Sequence, residues 1–525
     1  MKNTYLYIFC LSLLSLGSCE LETEPLVQQN DTNFYKTTDD AYSALVGCYD
    51  GLQVATGASG LGVPVISEVM SDDCFGGTGA SDGYNYALID EFDKSRSPSD
   101  VDLLNLNWKN YYKAIYRCNV FLSKMDQIDW KGDTALRNTY ESETKFIRAY
   151  TYFEMVRLWG NIPLLTAPSI ENLPQAAPEE VYKVIAEDLV FASENLPSTA
   201  YNAVPGGRIT KWAAKSLLGR VYLYYTGYYG KADLAGVVTK TQALAHLEDV
   251  IAQSGHGLVD NFSTLWPAAS VDQYAGESNK EIVFSIKYTY TSDYNGNTDG
   301  NHWMVMFGMR EFSNYPYGRG WGVTVNPKLW TAYNANDTRR VATVIGIEEE
   351  DIPFDKINNQ REYTGYYNKK YSPMVNQAGV DMPMVLGSQF WDISQFQDYV
   401  VLRYADVLLM AAELGSGSAQ SYFDQVRQRA YKSNFTPLAV TPEDIMKERH
   451  LEFALEGIRY WDLLRQGVDK ASSIIAASST TLLSGGVSGA KTISAAKIQE
   501  TKGLQQIPNT QITLSGNVLK QNAGW

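Results

Sequence analysis

Cysteine and histidine are scarce in this chain, and their scarcity argues against several classes of protein. The 525 residues include five cysteines and four histidines, too widely spaced for a disulfide framework or a metal cluster. In the globular part, Cys48, Cys74 and Cys118 either form one bridge or stay as three buried thiols. No H-E-x-x-H pair and no Walker A loop occurs, so neither a zinc hydrolase nor a P-loop nucleotide site is predicted.

A calcium loop beginning at Asn295 would need a bidentate glutamate at its twelfth position, where Met306 stands instead. The residues before it, Asn297, Asp299 and Gly300, follow the pattern of such a loop only loosely. We therefore assign no metal and no cofactor, with a bound calcium ion as the open alternative.

Positive charge is also in the minority. Lys and Arg number 44 against 59 Asp and Glu, which gives a formal net charge of -15. An acidic surface releases no counterions from a nucleic acid and is repelled by anionic lipid, so neither is an expected partner. Hydrophobic residues still make up 45% of the chain, enough for a large core in one domain or in two closely packed ones.

A long hydrophobic run is missing as well, because the apolar stretch at residues 5–16 is well short of the ~20 residues that a spanning helix needs. Preceded by a lysine and followed by small residues, it predicts an export signal over residues 1–18. Cys19 comes directly after Leu-Gly-Ser, which resembles the bacterial lipoprotein box and implies that Cys19 is lipidated. The alternative is an ordinary secretory signal. Residues 19–37 begin with closely spaced glutamates and are expected to form an acidic tether.

Helical periodicity predicts a mainly α protein with two helical blocks, residues 38–255 and residues 398–525. Antiparallel helix pairs joined by short loops resemble a tetratricopeptide-like scaffold, although their spacing is irregular. The first predicted helix is capped at residues 38–40. The other predicted helices lie at residues 104–125, 135–159, 178–196, 211–225, 241–253, 398–414, 419–431 and 442–466.

Residues 256–397 separate the two blocks as a long, irregular insertion with a short strand predicted at residues 281–288. Helical period is weak here, and Gly, Asn, Asp, Pro and aromatic residues dominate. Residues 288–333 hold eleven aromatic side chains, about twice the density of the whole chain. Because a connection of this length is unusual in a helical domain unless it is functional, ligand contacts are predicted in this insertion.

Several segments together resemble the signatures of the SusD/RagB family. The resemblance runs from the N-terminal leader to about residue 467, and the combination of segments is more specific than any one of them. The matching segments are residues 34–41, 145–153, 159–164, 401–413, 426–430 and 448–467.

The resemblance implies a lipid-anchored protein of the outer membrane, exposed at the cell surface, that binds glycans or other nutrients. It also implies a SusC-like TonB-dependent transporter as partner and no catalytic activity. The signature residues are expected to hold the scaffold. On helical spacing, Arg403 and Asp406 should lie at the rim of an amphipathic helix, Arg459 should pair with Asp462, and Trp461 should pack inward.

A sugar ring presents C–H groups on its faces and hydroxyls around its edge, so it suits flat Trp and Tyr side chains beside Asp, Asn and Arg. Two loops, residues 72–86 and 290–321, contain this mixture and are expected to share one outward surface. The acidic balance favours a neutral glycan unless Arg310 and Arg319 reverse the field locally. The predicted glycan contacts are Asp73, Asp82, Tyr84, Asn85, Tyr290, Tyr294, Asn297, Trp303, Arg310 and Trp321.

Two other functions stay open on the sequence alone. A helical-repeat lid or adaptor for a transporter of a peptide nutrient would need no sugar site. A glycoside hydrolase would need one acid–base pair among the 59 carboxylates, although no pair has a distinctive context.

Overall fold

A computed structural model of the chain describes residues 34–83 and 85–525. The predicted signal, the predicted lipidation site Cys19 and most of the predicted tether lie outside the described residues. Among the described helices, none is both long and apolar enough to cross a membrane. The described part is mainly α-helical, as the sequence predicts, and its strands occur as short pairs.

The first block consists of paired helices with local capping signals. The first helix begins at Thr38, because the Thr37 hydroxyl accepts a hydrogen bond from the Asp40 N–H at 3.2 Å and the Asp40 carboxylate accepts one from the Thr37 N–H at 2.9 Å. The helices are α1 Thr38–Gly57, α2 Val63–Val69, α3 Asn85–Asp90, α4 Asn105–Lys124, α5 Thr134–Trp159, α6 Pro178–Asn195, α7 Lys211–Tyr229 and α8 Lys240–Gln253.

Twelve short strands are spread over the described residues, six of them in the insertion. They are β1 Cys74–Phe75, β2 Ile162–Pro163, β3 Gln175–Ala176, β4 Ile282–Ile286, β5 Met309–Arg310, β6 Arg319–Gly320, β7 Thr324–Val325, β8 Val344–Gly346, β9 Tyr366–Asn368, β10 Tyr399–Arg403, β11 Thr480–Ser484 and β12 Val487–Lys491. The pairs β1–β7, β2–β3, β4–β10, β8–β9 and β11–β12 are antiparallel, and β5–β6 is parallel.

One strand pair encloses most of the insertion. β4 confirms the predicted strand, and it pairs with β10, so that Ile286 lies opposite Tyr399. The residues between these two strands therefore leave the helical body and return to the place where they left it. Within the insertion, the short helices are α9 Pro327–Ala332, α10 Arg340–Thr343 and α11 Met382–Val385.

The second block differs from its prediction at two places. Residues 399–403 form β10, and the helix that follows begins only at Tyr404. The long helix predicted at residues 442–466 is two helices, because Leu455 (φ +66°) and Gly457 (φ +78°) leave the helical region. The helices are α12 Tyr404–Glu413, α13 Ala419–Tyr431, α14 Pro442–Phe453, α15 Arg459–Leu464, α16 Val468–Ala476, α17 Ala495–Thr501 and α18 Asn509–Leu514.

The charges predicted at the rim of a helix are buried, so that prediction is wrong. Arg403 lies at the end of β10 and donates to Glu281 at 2.7 Å and to Glu452 at 2.7 Å. Asp406 is fully buried and accepts hydrogen bonds from Arg220 and Arg449. Arg403 belongs to an ionic cluster that joins the insertion to the second block. The cluster comprises Arg339, Arg403, Arg429, Lys370, Asp337, Glu281, Glu448, Glu452 and Glu456.

The predicted pairing of Arg459 with Asp462 is also wrong. Arg459 donates two hydrogen bonds of 2.8 Å to Asp72, whereas Asp462 accepts from Arg449 at 2.7 Å and from Arg465 at 2.8 Å. Trp461 is buried, as predicted. The three cysteines in the described residues are buried free thiols.

Candidate ligand-binding surface

The two loops predicted to bind a ligand lie side by side. Arg310 Nη1 is 3.4 Å from the Asp82 carboxylate, and the Thr78 N–H donates to the Gly322 carbonyl at 3.2 Å. The parallel pairing of β5 with β6 sets Arg310 opposite Gly320 and so brings residues 309–310 beside the end of the second loop. The first loop therefore shares a surface with residues 309–322.

Asp82 and Asn85 occupy the first loop and the start of α3. Asp82 is exposed, and its carboxylate accepts a hydrogen bond of 2.7 Å from the Gly79 N–H. Arg310 is largely buried and also faces Glu311 at 3.1 Å, so its charge is shared between two carboxylates. Asn85 is half-buried. The predicted contact Tyr84 lies outside the described residues.

Residues 79–83 also match the letters G-x-S-x-G of a nucleophile elbow. In an elbow the serine lies on a sharp turn between a strand and a helix. Ser81 is instead exposed in a turn that no strand enters directly. The match carries no catalytic argument.

A pair of tryptophans from distant parts of the insertion forms the centre of the surface. The rings of Trp321 and Trp391 have centroids 5.5 Å apart at an interplanar angle of 60°. The Arg319 guanidinium lies 4.3 Å from the centroid of Trp391, and its other contact is Asp381 at 3.0 Å. Both tryptophans are half-buried, so each ring is fixed by packing while part of it faces solvent.

Tyr294 extends this surface beyond Trp391. Its ring meets Phe390 edge-on with centroids 4.9 Å apart, and its hydroxyl donates to Asp392 at 2.6 Å. The hydrogen bond to Asp392 raises the pKa of Tyr294 to about 12. Tyr294 is 65% exposed and Tyr290 is 38% exposed. Both rings are thus presented to solvent on short, hydrogen-bonded loops.

An open cavity of about 380 Å³ lies between residues 290–295 and 387–390. Asp293 lies at its wall, and the Asp293 carboxylate accepts hydrogen bonds from the N–H groups of Asn295 and Asn297 at 2.8 and 3.0 Å. The Asn297 side chain accepts from the Asp299 N–H at 3.1 Å, so Asn297 shapes the loop more than it faces the cavity. We call the rings Tyr290, Tyr294, Trp321, Phe390 and Trp391, together with this cavity, the ring surface.

Trp303 contradicts its predicted role. It is 0% exposed and packs against Phe307, Tyr371 and Tyr399 with centroids 5.1 to 6.1 Å away. A ring buried on all sides cannot stack on a sugar, so Trp303 is a core residue.

Asp73 contradicts its predicted role as well. It is 1% exposed, and its Oδ1 lies 2.7 Å from His450 Nε2. Among the described residues, Asp72, Asp73 and His450 form a group with metal-ligand chemistry. Arg459 on α15 donates to both carboxylate oxygens of Asp72, and His450 on α14 contacts Asp73. These contacts fix the first loop against α14 and α15.

The predicted contacts omit Phe390 and Trp391, two of the five rings of the ring surface, and the neighbouring carboxylate of Asp392. The high aromatic density that predicts ligand contacts ends at residue 333, so these three residues lie outside the predicted segment. The run Phe390-Trp391-Asp392, with Gln and Ser on either side, has the same mixture of rings and polar groups and could have been found by that signal.

Comparisons with known proteins give one consistent family. A model described as the SusD family matches residues 350–525, and a model described as "Starch-binding associating with outer membrane" matches residues 78–223. The SusD-like protein P2 of Formosa agariphila is 27% identical over 506 residues, covering 89% of this chain and 91% of that protein.

Solved structures agree with these matches. A laminarin-binding SusD-like protein is 28% identical with a TM-score of 0.73, covering 94% of this chain and 100% of that chain. The surface glycan-binding protein A of Bacteroides thetaiotaomicron in complex with laminarihexaose is 23% identical with a TM-score of 0.72, covering 93% and 100%, a likeness of fold. Taken with the helical-pair scaffold, these matches establish that the chain belongs to the SusD/RagB family.

Proposed function

We propose that this protein is a non-catalytic, lipid-anchored protein of the cell surface that binds an oligosaccharide or polysaccharide on the ring surface. It delivers the glycan to a SusC-like TonB-dependent transporter in the outer membrane. The observation that carries the proposal is the Trp321–Trp391 pair, half exposed beside Tyr294 and the carboxylate of Asp392. Rings of this kind cover the faces of a sugar, and the carboxylate accepts from its hydroxyls.

Relatives support a glycan as the ligand. The solved structure with 28% identity is named as a laminarin-binding protein, and the model that matches residues 78–223 is described as starch-binding and associated with the outer membrane. Laminarin, a neutral polysaccharide, is therefore the first test ligand.

The charges around the ring surface support a neutral glycan over an anionic one. Arg310 and Arg319 are each engaged by carboxylates, while Asp82 and Asp293 add negative charge nearby. A sulfated or uronate-rich chain would be repelled by these carboxylates, because Arg310 and Arg319 are already paired with acidic side chains. Binding to a neutral chain should accordingly change little when the salt concentration rises.

Affinity electrophoresis of the full chain through gels that contain laminarin, starch, mannan or a sulfated polysaccharide tests the proposal. We expect retention by a neutral polysaccharide, with no reducing ends released from any of them. Trp391→Ala should weaken retention about tenfold, since loss of one stacked ring costs ~1.4 kcal/mol.

Trp330 offers a matched control for this experiment. It is also half-buried, with its ring 5.6 Å from Tyr366 and 4.8 Å from the Arg340 guanidinium, but it contacts no ring of the ring surface. Trp330→Ala should leave retention unchanged. Equal retention by the Trp391→Ala variant and the wild type, together with weaker association with the transporter, would refute the glycan site and favour the peptide adaptor.

A further inference from the structure

Two of the three cysteines in the described residues lie side by side between helices α1 and α4. Cys48 on α1 and Cys118 on α4 are both 0% exposed, and Cys48 is near enough to add to the effect of burial in raising the pKa of the Cys118 thiol. Cys74 lies elsewhere, in β1 opposite Val325. The chain thus brings one specific pair of thiols together and keeps the third apart.

The two helices approach closely at this point. A Cβ atom placed on Gly51 would lie 3.1 Å from the Cα of Ala114, and the Gly47 carbonyl accepts a hydrogen bond of 2.9 Å from Arg117. These contacts run antiparallel, and they place residues 48 and 118 at the crossing. The absence of a side chain at Gly51 lets the two helix backbones approach closely at this crossing. A close crossing is what a disulfide between helices requires, since its Cα atoms lie about 4.4–6.8 Å apart.

We propose that Cys48 and Cys118, which are free thiols in the structure, are oxidised to a disulfide bond in the exported protein and that this bond joins α1 to α4. The inference rests on the proposed surface location, because disulfides persist outside the reducing cytosol. The two thiols would lose two protons and two electrons as the S–S bond forms. A dithiol-disulfide oxidant of the cell envelope would take up the electrons and be reduced to two thiols.

The bond would form while the protein folds. Burial, followed by the neighbouring Cys48 thiol, raises the pKa of the Cys118 thiol well above its ordinary value. Since the thiolate is the reacting species, the folded pair would react slowly, and exchange would precede the closing of α1 on α4. Once formed, the bond would fasten α1, the first helix after the predicted tether, to the body of the protein against a pull from the lipid anchor.

Peptide mapping of the full chain tests this bond. The protein is exported with its own signal, extracted in detergent, denatured without reductant in N-ethylmaleimide, and digested with trypsin and then with a glutamate-specific protease. The second digestion is needed because trypsin leaves Cys48 and Cys74 on one peptide, which Glu68 divides. We expect a cross-linked pair of peptides, lighter than their reduced sum by two hydrogen atoms, and an alkylated Cys74.

Single replacements provide the controls. Cys74→Ser should keep the cross-link, whereas Cys48→Ser should leave Cys118 fully alkylated. Alkylation of both Cys48 and Cys118 in the exported protein, and again after refolding with oxidised glutathione, would overturn the proposal. Laminarin retention of the same preparation is an independent measurement. If both thiols are free and laminarin still retains the protein, only the disulfide proposal is refuted. If the cross-link is present and no polysaccharide retains the protein, only the glycan site is refuted.

Discussion

Replacement of Glu452 by glutamine probes the centre of the ionic cluster. Glu452 is fully buried, and its carboxylate accepts hydrogen bonds from Arg403 at 2.7 Å, from Arg339 at 3.0 Å and from Arg429. Burial alone would raise the pKa of Glu452, but the guanidinium groups of Arg429, Arg403 and Arg339 hold it well below its ordinary value. The carboxylate is therefore charged in the folded protein, and three arginines depend on it.

The magnitude follows from what glutamine cannot do. Its amide has one acceptor oxygen, and its NH2 group would face an arginine that also donates, so at least one buried guanidinium would lose its partner. Removing one member of a buried ion pair costs about 3–5 kcal/mol. We expect a loss of ~3 kcal/mol for Glu452→Gln, because the amide oxygen keeps part of the interaction.

Glu443 on the same helix, α14, is the matched control. Its side chain is 75% exposed and lies 3.0 Å from Lys447, so Glu443→Gln should cost less than ~1 kcal/mol. Urea denaturation followed by tryptophan fluorescence compares the two variants with the wild type. If Glu452→Gln shifts the free energy of unfolding no more than Glu443→Gln does, the account of the cluster as a mutually dependent set of charges is refuted.

Two further predictions concern a variant that loses stability but keeps glycan binding, and the dependence of stability on pH. Trp303→Ala should lower the free energy of unfolding by about 3–5 kcal/mol because it leaves a cavity in the core, which thermal denaturation would measure. The fraction of this variant that folds should still be retarded by laminarin in affinity electrophoresis. Burial lowers the pKa of His256 to about 4, whereas an unfolded histidine titrates near 6.5, so the unfolded state binds the extra proton between these values. Stability should therefore fall by about 3 kcal/mol as the pH drops through that window, and His256→Gln should flatten the dependence of the denaturation midpoint on pH.

Helices could be predicted because their signals are local. Thr37 and Asp40 make the capping contacts of α1 within one turn, and the apolar period of α13 lies inside its own thirteen residues. The predicted bounds of α13 match the observed ones. Splitting of the predicted helix at residues 442–466 was harder to foresee, since it depends on the backbone at Leu455 and Gly457 and not on side-chain period.

The environment of a side chain could not be predicted in the same way. Helical spacing places Arg403 at a rim, but its partner Glu281 lies 122 residues earlier, immediately before β4, and no local pattern predicts that contact. Trp303 and Trp391 each have a polar residue within two positions, so their sequence neighbours do not by themselves decide which ring is exposed. Trp303 is buried because Tyr371 and Tyr399 return to cover it, while Trp391 is left at the surface beside Arg319.

The pairing of β4 with β10 brings together the two ends of the segment 287–398, which contains most of the insertion. Lys287 and Asp398, just inside this strand pair, also form an ion pair, so the segment is clamped twice. Loops 289–297 and 387–392 lie inside the clamped segment and can therefore change length and composition over evolution without altering the register of the helices. Ligand preference can drift in a lineage, and be exchanged in the laboratory by grafting these two loops, while the body retains its shape.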